Sequence, residues 1–343
     1  MMNLDSRLVG RISGGLAGRQ PPATTDEALQ AAKHLRESAE RAPSIVAEVS
    51  GLDQASFTSQ IPVRVVDRTR WAEAAAQSFN AIARAAQPVT AANLSEPFQS
   101  TGLPTPTQSG TSFSEAATTL RERAQSGIES ASDLATSAGM GAGLAVMASS
   151  VLGQYDPFTG TDGRLLLVAP NIVAFGRSYD LDQSDLALWV SVHELTHAAQ
   201  FAQAPWIRDY VISRVRPVMN GTASDDFSLS EGPGGELTAI MSLLEGHAEY
   251  MMNNVSRRMI PSLTKLKRAM TERRTSSNPL KTFVYKLTGM DLKMSQYSSG
   301  KSFVQGVIDE ASIEGLNRLW DDPLNAPSPA ELVSPLTWVH RVL

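Results

Sequence analysis

The most constraining stretch of the chain lies between Asp182 and Pro205. Asp182 or Ser184 can cap a helix here, Asp185 falls in its first turn near the positive end of the helix dipole, and Pro205 stops it. Leu188, Trp189, Val192 and Leu195 recur at helical spacing and call for a core on one side. The same helix carries His193, Glu194 and His197, in the pattern H-E-x-x-H. Positions i and i+4 share a helix face, so the two imidazoles can meet one metal ion. Glu194 then stands beside the ion, placed to take a proton from water. A fold built on this helix has to bury one side of it and set a second element against the other.

That second element must supply a further ligand. The 343 residues include no cysteine, which excludes disulfides, thiolate nucleophiles and Cys-ligated metals and leaves nitrogen and oxygen donors. Downstream, Glu245-Gly246-His247-Ala248-Glu249-Tyr250 lies on a long helix pattern from Glu236 to Ile260, ended by Pro261. Glu245 and Glu249 are i and i+4, so one can bind the metal while the other accepts a hydrogen bond from a ligand imidazole. Gly246 permits close approach of a neighbouring helix. His247 points roughly 200° away from Glu245. It reads as a packed histidine or as a substrate-facing one, and a site with His247 as third ligand is the alternative. Tyr250, Tyr210 and His247 are the candidates for stabilising an oxyanion.

The rest of the chain reads as mainly α with two or three short strands. Residues 1–24 mix Gly, Pro and Arg without periodicity and read as a flexible N-terminal segment. Residues 25–343 read as a single mostly helical domain. Helix signals run from Thr25 to about Arg41. A second helix follows Asp67 to Arg84, with Trp71, Ala75, Phe79 and Ile82 at core spacing. Pro62–Val66 is a strand candidate. Arg164–Ala169 is the best one, with Ile172–Phe175 extending it past Pro170 at an edge. Residues 88–112 form a long Pro/Ser/Thr/Gly loop, and Asn220–Gly235 a polar lip beside the site. Ala138–Leu152 is too short and small-residued to span a bilayer, which takes roughly 20 apolar residues, and reads as a closely packed helix. Lys265, Lys267, Arg268, Arg273 and Arg274 read as a solvated basic face. Further helices are expected over Gly300–Glu310, Ile313–Trp320 and Pro335–Val342.

The net charge of −5 gives no argument for a nucleic-acid or membrane partner. With no apolar leader at the N-terminus, a cytoplasmic location is expected. Oligomeric state is not encoded in these patterns.

Several segments together resemble the bacterial zincin-like metallopeptidase family. They are His193 to Phe201, Ala204 to Arg208, Glu245 to Tyr250, Val151 to Asp156, Gly289 to Met294 with Gln296 and Tyr297, and Pro335 to Val342. The likeness runs from roughly residue 60 to the end. Members are described as hydrolases, zinc-dependent metalloproteases or proteins associated with deazaflavin-coenzyme biosynthesis. The resemblance implies a zincin fold, Zn2+ held by His193, His197 and Glu245, and Glu194 as general base. Glu249 matches the position that supports a ligand, where many zincins carry Asp. Asn253 stands where an acidic residue is expected. The activity implied is a zinc-dependent hydrolase, most simply a peptidase acting on peptides. A small-amide hydrolase and a metal-binding, non-catalytic scaffold are the competing readings.

Overall fold

A computed structural model describes residues 4–17, 24–87, 136–219, 232–276 and 297–343. The elements in order are α1 (Ser6–Leu16), α2 (Thr25–Val49), β1 (Val63–Val66), α3 (Arg68–Ala85), α4 (136–148), β2 (Gly153–Asp156), β3 (Arg164–Val168), α5 (Ala169–Ser178), α6 (Gln183–Gln203), α7 (Trp206–Met219), α8 (Gly232–Asn254), α9 (Leu263–Ser276), α10 (Tyr297–Asn317), α11 (Pro329–Val333) and α12 (Pro335–Val342). The protein is mostly helical, as the sequence patterns predict.

The three strands form one sheet in the order β1-β3-β2, with β1 parallel and β2 antiparallel to β3. β3 is buried along its whole length, and its alternation divides the molecule. Leu165 and Leu167 enter a large core with α2, α6, α8 and α10, whereas Leu166 and Val168 enter a second core with Trp71, Leu144 and Val9. A buried ion pair ties the sheet to α3. Asp156 lies 3.0 Å from Arg164 and accepts from the Ser78 hydroxyl, while Arg164 also donates to the Ala74 carbonyl and to Gln77. Both charges are thus hydrogen-bonded, the condition for burying them.

Four sequence expectations change. Residues 6–16, expected to be flexible, form α1: Asp5 caps it through Arg7 and Leu8 N–H, and Val9 and Ser13 are buried. Gly10 and Gly14, which look like helix breakers, are its contact stripe. A Cβ on Gly14 would meet the Thr69 hydroxyl at 2.1 Å, and one on Gly10 the Thr69 carbonyl at 3.0 Å. Helix α2 continues through Pro43 to Val49 because Ala42, Ile45, Val46 and Val49 are buried there. Ile172–Phe175 belongs to α5 rather than to a strand. Pro170 occupies the first turn of that helix, where its missing N–H costs nothing. Finally, β2 is a strand that sequence periodicity did not reveal. The helices expected over 300–310 and 313–320 are α10 with a break at Ser312 (φ 65°), followed by a 3-10 turn to Trp320.

Residues 136–148 are helical with Leu144, Ala145 and Ala148 buried, in line with a packed helix. Among the described residues no helix is long and apolar enough to cross a membrane. The loop expected at 88–112 and residues 220–231 of the lip expected over Asn220–Gly235 lie outside the described residues; Gly232–Gly235 open α8 rather than continuing a loop.

Candidate metal centre

Helix α6 is capped as expected, with the Asp182 carboxylate accepting from Asp185 N–H. Its buried side includes Leu188, Val192 and Leu195, so His193, Glu194 and His197 are left half-buried on the face toward α8 and β2. Opposite them α8 brings in Glu245. His193 Nε2 lies 3.6 Å from one Glu245 carboxylate oxygen and His197 Nε2 lies 3.6 Å from the other. One ligand atom from each residue falls within 4.8 Å of the other two. Tetrahedral zinc with ligand bonds near 2.0–2.1 Å requires ligand atoms about 3.3–3.4 Å apart, so this spacing fits a divalent ion between them. Among the described residues this is the cluster with metal-ligand geometry.

Gln200, three residues after His197, decides which nitrogen of His197 is available. Its amide group is 2.9 Å from the Leu244 carbonyl, 2.9 Å from His247 Nδ1 and 2.9 Å from His197 Nδ1. The carbonyl can only accept, so the Gln200 NH2 faces Leu244 and His247 and the Gln200 oxygen faces His197. His197 therefore carries its proton on Nδ1 and turns the lone pair of Nε2 toward Glu245. The sequence offers Glu249 for a supporting role of this kind. At His197 the role falls to Gln200, whose i+3 spacing was the available signal.

Glu249 pairs with Lys301 of α10, 3.0 Å away. His247 is fully buried, which corrects the substrate-facing reading and the alternative in which it is the third ligand. Its Nδ1 accepts from Gln200 and its ring meets Trp320 edge to face at 5.0 Å. Burial, aided by the charge of His197, pushes its pKa down to about 3, so it is neutral at ordinary pH. Tyr210 lies under the Arg214 guanidinium, 3.6 Å from ring centroid, and Tyr250 packs half-buried against the large core.

Glu194 is held from the other side. Its carboxylate accepts from the Tyr155 N–H of β2 at 3.0 Å. Gly153 makes the approach possible, since a Cβ there would lie 2.8 Å from Glu194 Cγ. Helices α8 and α10 also cross at glycines: a Cβ on Gly246 would be 2.2 Å from the Gly300 backbone. That close crossing delivers Lys301 to Glu249. The basic stretch expected to be a solvated face is not wholly so, because Lys267 and Arg273 line the same cleft as His193 and Glu194.

A family model described as zincin-like metallopeptidase matches residues 4–233 and 234–339, nearly the whole chain. The chain belongs to the zincin-like metallopeptidase family. A solved structure from Chloroflexus aurantiacus, provisionally described as a hydrolase with a novel fold, is 25% identical. It matches over 98% of both chains with a TM-score of 0.67. No curated protein matches the sequence. Membership of the zincin-like family implies a divalent metal, typically zinc, and His193, His197 and Glu245 are residues that can hold one.

Proposed function

We propose that this zincin-like protein is a zinc-dependent hydrolase that cleaves peptide bonds, with His193, His197 and Glu245 holding the ion and Glu194 acting as general base. The observation that carries the reading is the convergence of two imidazole nitrogens on one carboxylate, with a second carboxylate pinned beside them. A divalent ion there supplies Lewis acidity toward a carbonyl and lowers the pKa of the water it binds toward roughly 7. The protein's own part is to place the proton. Tyr155 N–H fixes one Glu194 oxygen and leaves the other to take a proton from water and pass it to the leaving amine.

The peptide reading is supported by the edge of β2. Val168 N–H bonds the Leu152 carbonyl, so Gln154 and Asp156 face β3 in turn, and Gly153 and Tyr155 face away from it. With the Tyr155 N–H committed to Glu194, it is the Gly153 part of that edge that an extended peptide can pair with, beside Glu194. A small-amide substrate is the second reading, favoured by a cleft of about 360 Å³, which suits a compact ligand. Fluorogenic peptides and simple N-acyl amides, offered to the zinc-loaded protein, separate the two. Glu194→Gln is expected to retain the metal and lose at least about 100-fold in kcat. Metal bound with no turnover by the wild type would leave a non-catalytic scaffold.

A further inference from the structure

The cleft beside the metal centre contains three cations that the proposed chemistry does not use: Lys267 and Arg273 of α9 and Lys301 of α10. Two of them are engaged. Lys301 pairs with Glu249 at 3.0 Å, and Arg273 lies over the Phe175 ring, 5.1 Å to the centroid, and donates to the Ser150 carbonyl. Lys267 differs. Among the described residues its ammonium meets the Asn253 amide oxygen, at 3.4 Å, and no carboxylate. Burial, and then the nearby charge of Lys301, push its pKa down, so the charged form is disfavoured where it stands. An acidic residue at 253 would neutralise it from within the protein. Asn253 does not.

We propose that Lys267, with Asn253 beside it, is the subsite for a carboxylate on the substrate, so that the cleft selects peptides or amides bearing an acidic group remote from the bond cut. The inference rests on the hydrolase reading of the same cleft and names its substrate class. One uncompensated ammonium matches a monoanion, since the guanidinium fork of Arg273 that would favour a phosphate already donates to a carbonyl. Asn253 stands a little over two turns beyond Glu245 on α8, about 12 Å along the helix. An extended chain covers that span in three or four residues. The carboxylate is therefore bound in the ground and transition states alike, and its loss belongs in KM rather than kcat.

Acetylated oligo-alanines of two to five residues, each as free acid and as C-terminal amide, test this by calorimetric titration into zinc-loaded Glu194→Gln protein, which cannot turn them over. At one favoured length the acid is expected to bind at least tenfold more tightly than its amide. Added Lys267→Met or Asn253→Asp should bring the two within about twofold, and Lys267→Arg should retain the preference. Length dependence separates a carboxylate at this subsite from one sitting on the metal. Equal binding of acid and amide at every length, no binding of either, or a preference that survives both Lys267→Met and Asn253→Asp overturns the proposal. So does displacement of the acids by inorganic phosphate more readily than by acetate. The readout is binding, so failure of the wild type to cleave any peptide counts against the hydrolase reading and leaves this result to be judged separately.

Discussion

With both amide hydrogens of Gln200 committed to Leu244 and His247, only its oxygen remains for His197, and one amide fixes the tautomer of a candidate ligand. Gln200→Met keeps the length of the side chain and removes that constraint. Zinc affinity should fall about 10- to 100-fold, as outer-shell losses usually cost, and competition with a chromophoric chelator would measure it. Unchanged affinity would show that the tautomer is set elsewhere. At this scale His193, Glu194, His197 and Glu245 were legible because fixed helical spacing carries ligand geometry. Gln200 and Lys267 were not, because their roles depend on which neighbours the tertiary fold brings to them.

Elements hold the site through a few buried contacts. The edge strand β2 supports Glu194, and the Asp156–Arg164 pair anchors that strand to β3 and α3. Asp156→Asn leaves the buried Arg164 charge uncompensated and should cost about 3 kcal/mol, read as a lower midpoint in chemical denaturation. At the C-terminus, Glu331 caps α11 with Ser328 and makes two contacts to Arg341 of α12, at 2.6 and 3.0 Å. Burial raises its pKa, but hydrogen bonds from Arg341 and Ser328 outweigh this and hold it below the usual carboxylate value of 4.5. A depressed folded pKa stabilises the protein above the unfolded value, and that stability is lost as pH falls through the folded one. Glu331→Gln should therefore cost about 2 kcal/mol at neutral pH and converge on wild type below pH 4.5, checked by denaturation across pH 3–7. The caps and apolar periods of α3 and α6 were readable in the sequence, as was the extent of α12. Strand β2 was not, since Gly-Gln-Tyr-Asp shows no apolar alternation and its burial comes from α3 and α6. Helix α1 was hidden because Gly10 and Gly14 signal flexibility locally and close packing only once α3 is present.

In the whole molecule, one completely buried strand separates two cores, and α6 and α8 meet in the larger of them with the candidate ligands at their common open face. Metal binding should then couple to global stability, adding about 2.7 kcal/mol at a hundredfold excess over Kd. Chelation should lower the thermal midpoint of wild type and of Glu194→Gln, and leave His197→Ala unmoved. All of this chemistry depends on the ligand set itself. Zinc-edge X-ray absorption of the protein loaded with one equivalent of zinc tests it most directly. The expected result is a four-coordinate nitrogen and oxygen shell at about 2.0–2.1 Å containing two imidazoles, with the zinc lost on Glu245→Ala. A three-imidazole shell, or no protein-bound zinc at all, would contradict it.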